Sequence, residues 1–76
     1  MITHMEFRFV NPAPRGCQFY LRATNTPDHD VDLYLTDENK YELQIIGNRE
    51  RFSKSFDDYA SAVREAESRA TVTVSF

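Results

Sequence analysis

Residues 55–69, SFDDYASAVREAESR, carry helical spacing, and alternating segments lie on both sides of them. Ser55 and Asp58 stand three residues apart in the form of a capping box, in which side-chain oxygens accept from unpaired backbone N–H groups at a helix start. Phe56, Tyr59, Ala60, Val63, Ala66 and Ala70 then fall on one apolar stripe, and Asp57, Ser61, Arg64, Glu65 and Ser68 fall away from it. Asp57 and Asp58 in the first turn and Arg69 in the last suit the helix dipole, and Glu65 precedes Arg69 by four residues in the favourable order. The pattern predicts a helix over about 55–69 with one face buried.

Outward from that helix the period changes from 3.6 to two. Residues 6–10 alternate, and Pro12, Pro14 and Gly16 then break the run. Residues 17–23 alternate again, 24–30 carry turn chemistry, 31–36 resume the alternation, and 37–40 turn the chain. A fourth strand is predicted over 41–46, a turn at Gly47 and Asn48, a short fifth strand over 50–54, and a last strand over the β-branched run 70–76. The fold class is thus α+β: a mainly antiparallel sheet of four to six strands with one helix packed on one face, in the order β-β-β-β-(β)-α-β. One sheet face should carry Phe7, Phe9, Cys17, Phe19, Leu21, Val31, Leu33, Leu35, Tyr41, Leu43, Ile45, Val72, Val74 and Phe76. Arg8, Gln18, Tyr20, Arg22, Asp32, Tyr34, Glu42, Gln44, Thr71 and Thr73 belong to the other.

A chain of 76 residues can bury only a small core, and no apolar run approaches the roughly 20 residues of a membrane-spanning helix. Residues 1–4 read as a vector-derived leader, because the pair His4-Met5 is what a common cloning site encodes, leaving 5–76 as a single domain. Cys17 has no second cysteine to pair with, so a reducing cytoplasm is the expected compartment. The formal charge of −3 argues against a general nucleic-acid binder.

Catalytic patterns are missing. Cys17 sits in the alternation as a small buried hydrophobe, Ser53, Ser55 and Ser61 lack a nucleophile elbow, and two glycines cannot build a phosphate loop. Asp28, Asp30 and Asp32 have the spacing that opens a calcium loop, but Leu33 occupies the glycine position and Asn39 the place of the closing Glu. Neither a metal nor a cofactor is expected, and the chain reads as non-enzymatic.

Charge segregation is the stronger signal. Asp28, Asp30, Asp32, Asp37 and Glu38 fall in a stretch without basic residues, whereas Arg49, Arg51 and Lys54 cluster later. An acidic edge of this kind would steer a basic protein partner. Arg8, Tyr20, Arg22 and Tyr34 on the polar face form the alternative, an aromatic and basic platform for single-stranded nucleic acid. The order of elements over residues 41–70 is similar to that of the three-stranded, one-helix DNA-binding modules of the AP2 and integrase-arm type. The sheet lacks their density of Arg, Lys and Trp, so no residue or function carries over.

The expectation is a small protein-interaction module, of a size that suits a phage or mobile-element accessory protein. It would act through the acidic edge or through apolar sheet surface that one helix cannot cover. Phe7, Phe9 and Phe76 are the residues expected to be left over, as a homodimer patch.

Overall fold

The computed structural model describes residues 4–72. Five strands, β1 (Phe7–Phe9), β2 (Cys17–Ala23), β3 (His29–Thr36), β4 (Tyr41–Gly47) and β5 (Arg51–Phe56), form an antiparallel meander in the order β1-β2-β3-β4-β5. The helix α1 (Tyr59–Arg69) follows and packs on one face, giving an α+β domain. Most of the strand predicted over 70–76, with Val74 and Phe76, lies outside the described residues. No helix among the described residues is long and apolar enough to cross a membrane.

Register follows the alternation. Leu21, Leu33 and Leu43 align across β2, β3 and β4, and Val31, Ile45 and Phe52 align across β3, β4 and β5. Because directly opposed residues share a face, these rows make one continuous apolar layer in which Val31, Leu33 and Leu43 are fully buried.

The helix begins later than the sequence predicted. β5 runs on through Ser55 and Phe56, which pair with Glu42 and Tyr41, so Ser55 is a strand residue and not a cap. Asp58 caps instead: its Oδ1 accepts from the Ser61 N–H at 2.7 Å, and its Oδ2 accepts from the Ser61 hydroxyl at 2.9 Å. These hydrogen bonds hold the Asp58 carboxyl below its usual range. At the other end Glu65 pairs with Arg69 at 2.7 Å as predicted, and the Arg69 guanidinium lies 3.7 Å from the centre of the Phe52 ring.

The later start rotates the buried stripe. Ala62, Ala66 and Ala70 face the sheet, while Ala60 and Tyr59, predicted to be buried, are exposed and Val63 lies at the margin. Three alanines four residues apart let the helix backbone approach the large side chains of β4 closely. Residues read as leader or boundary also contribute. Met5 is buried, its N–H donates to Glu67 Oε2 at 2.8 Å, and the His4 carbonyl accepts from Asn25 Nδ2 at 3.0 Å.

The two alanines on opposite sides of the helix separate the observed phase from the predicted one. Ala62→Asp buries a charge with no partner and should cost roughly 3 kcal/mol or more, whereas Ala60→Asp should stay within about 0.5 kcal/mol. Urea melts of the two variants read the difference, and equal midpoints would reject this packing.

Candidate functional site

The polar face of the sheet is built around one buried charge. Asp32 is 5% exposed although it alternates with apolar residues, and its carboxylate is held from two sides. Tyr20 Oη donates to Asp32 Oδ1 at 2.6 Å, and Arg22 Nε lies 3.2 Å from the same oxygen. The strand register causes this: Arg22 stands opposite Asp32, and Tyr20 opposite Tyr34 one step along. A carboxylate taken out of water costs several kcal/mol unless it is paired and hydrogen-bonded, and here two donors on β2 supply that. Burial, and next the bond to Asp32, push the Tyr20 phenol well above its ordinary value; the Asp32 charge raises the Arg22 guanidinium.

Tyr20 and Tyr34 stack, with ring centres 4.6 Å apart and planes 16° from parallel. The proposed nucleic-acid platform is therefore partly committed within the protein. Tyr20 and Arg22 serve Asp32, one face of each ring is covered by the other, and Arg8, opposite Arg22 on β1, remains exposed.

The acidic residues do not converge on one edge. Asp28 and Asp30 are exposed at the start of β3 and Asp37 and Glu38 just beyond its end. At about 3.3 Å per residue the two pairs lie roughly 25–30 Å apart. Asp32, predicted as part of the exposed acidic set, is withdrawn between them because its partners are side chains of β2.

Cys17 departs from the apolar face assigned to it. It pairs with Thr36, whereas Phe19 pairs with Leu35, so a bulge at Gln18 inserts one residue and turns Cys17 to the side of Tyr34. There it lines an open groove of about 300 Å³ with Pro14, Tyr34, Glu42, Leu43, Gln44 and Ser53. The turn that places Pro14 and Cys17 is closed by the Cys17 N–H donating to the Pro14 carbonyl at 3.1 Å, with Gly16 at φ 88°. That left-handed position favours glycine. Burial raises the Cys17 thiol, and Glu42, Asp37 and Glu38 raise it further, which is the opposite of what a nucleophilic thiolate needs. The bulge carries no composition signal, so alternation alone misplaces this residue.

On the helix side, α1 packs mainly over β4 and β5, and among the described residues β1 is the strand left with an exposed large apolar side chain. Phe9 is 66% exposed and meets Phe19 edge-on with ring centres 5.7 Å apart. Phe7, expected in the same patch, is half-buried against the core, and Phe76 lies outside the described residues. No protein-family model matches the chain, and no curated protein or solved structure matches it.

Tyr20 gives the buried cluster a pH signature. Its folded-state value is raised above the unfolded value of about 10, so its contribution to stability is complete below that pH and is lost as pH rises toward the folded value. Tyr20→Phe should therefore lose less stability between about pH 9 and 11 than the parent, the remaining slope coming from Tyr34, Tyr59 and the Cys17 thiol, which burial also raises. At neutral pH Asp32→Asn should cost about 2 kcal/mol through weakened bonds to both donors. Urea melts across that pH range test both statements, and a Tyr20→Phe slope equal to the parent's would contradict the first.

Proposed function

We propose that the chain is a small, non-enzymatic protein-interaction module whose contact surface is the aromatic part of the sheet that the helix leaves open. The observation that carries this reading is Phe9, 66% exposed on the same face as the buried core. A large apolar side chain continuous with a core is an unfavourable exposure for a monomer, and it is the kind of surface that pairing removes from water.

The partner proposed is a second copy. β1 is an edge strand of the described sheet, and its inward hydrogen bonds are already assigned: the Val10 N–H donates to the Tyr20 carbonyl at 2.9 Å and the Glu6 carbonyl accepts from the Thr24 N–H at 2.8 Å. By the alternation of an antiparallel ladder, the backbone groups of Phe7 and Phe9 then point away from β2. Two copies of one edge strand meeting antiparallel are related by a twofold axis, so the same residues satisfy both sides, and Phe9 is brought near its own mate. The acidic loops at the two ends of β3 favour solubility.

Sedimentation equilibrium over micromolar concentrations tests the proposal. The apparent mass should rise above 8.9 kDa with concentration, and Phe9→Glu should hold it at 8.9 kDa while the monomer, having lost the Phe19 contact, stays folded at a cost of about 1 kcal/mol in urea melts. A parent chain that stays at the monomer mass throughout would exclude a dimer.

A further inference from the structure

The opposite face of the sheet offers a site of different chemistry. Tyr20 and Tyr34 are register partners on adjacent strands, and their ring centres are 4.6 Å apart, close to the roughly 4.8 Å between strands. The ring normals therefore run across the strands, and the face of Tyr34 not covered by Tyr20 is turned toward β4. Its register partner there is Glu42, and the groove lined by Tyr34, Glu42, Gln44 and Ser53 opens directly beside it. We propose that this groove binds the guanine ring of a free nucleoside, which adds a third ring to the stack.

Size, stacking and edge chemistry all bear on that choice. A volume of about 300 Å³ is at the low end of ligand pockets and suits one fused ring system with part of a sugar. A base placed on the free face of Tyr34 gains stacking whatever its identity, so the floor must supply the selection. Glu42 presents a carboxylate, an acceptor with two oxygens, and guanine carries two neighbouring donors, N1–H and N2–H₂, that meet both. Adenine presents an acceptor beside its single amino group, which a carboxylate repels. Gln44, whose amide can donate to the guanine carbonyl, and the Ser53 hydroxyl lie one strand step further on. None of the described residues lining the groove is basic, and the chain carries a net charge of −3, so the described lining offers a phosphate no neutralising partner. This selects a nucleoside over a nucleotide or a strand. The site shares no residue with the aromatic patch on the helix side, so the two proposals stand or fall separately.

Two-dimensional amide NMR of the whole chain, titrated with guanosine, adenosine and a single-stranded DNA oligonucleotide containing guanine, provides the test. Guanosine should shift the amides of Glu42, Gln44 and Ser53 saturably, with adenosine roughly tenfold weaker or worse. Tyr34→Leu should weaken guanosine about tenfold, Tyr34→Phe should preserve it, and Glu42→Gln should erase the preference over adenosine while the spectrum remains dispersed. The proposal is overturned by an absence of saturable shifts with guanosine or by a Tyr34→Leu variant that is folded and binds as the parent does. Tighter binding of the oligonucleotide per guanine would also overturn it, because the occupant would then be a nucleic-acid strand.

Discussion

A helix of 11 residues has to serve as the cover for one face of five strands. At about 1.5 Å per residue it is roughly 16 Å long and about 10 Å across, whereas five strands about 4.8 Å apart present a width of roughly 20–24 Å. Coverage must therefore be partial, and the chain path decides which part is served. Because α1 follows β5 after only two residues, it falls back over β4 and β5, and the strands at the other side receive what the N-terminal segment can add. Met5, tied through its N–H to Glu67, is that addition. Val72 packs against the same core, and among the described residues Phe9 stays exposed at the edge strand.

The same short connection sets the phase of the helix. Phe56 is still paired with Tyr41 in the sheet, so helical geometry cannot begin until Asp58 offers its carboxylate to the Ser61 N–H. Starting there, the residues nearest the sheet are alanines, and their small size brings the backbone close enough for Leu43 and Ile45 to be sealed. A bulkier stripe would raise the helix and open the core around them.

The polar face obeys a different constraint, the cost of an ionised side chain out of water. Asp32 is tolerated because the register places Arg22 opposite it and Tyr20 one step along, and that arrangement also aligns the two tyrosine rings. Structural satisfaction and the candidate groove are thus linked: the bond that holds Tyr20 to Asp32 also orients the ring on which Tyr34 stacks, and so orients the free face of Tyr34.

Local pattern by itself determined the fold class, the mainly antiparallel pairing, the turns and the face to which Leu21, Leu33 and Leu43 belong, because alternation with period two assigns every second residue to one face, while the strand order and the choice among registers two residues apart came from the fold. It also determined the Glu65 and Arg69 pair, which depends only on helical spacing. Tertiary structure decided the rest. The bulge that turns Cys17 over arises from how β2 meets β3, the cap at Asp58 arises from the pairing of β5 with β4, and the burial of Asp32 arises from side chains ten and twelve residues away. Each of these depends on a partner strand rather than on the residue's own neighbours, and a one-dimensional pattern carries no information about which groups another strand will bring within hydrogen-bonding distance.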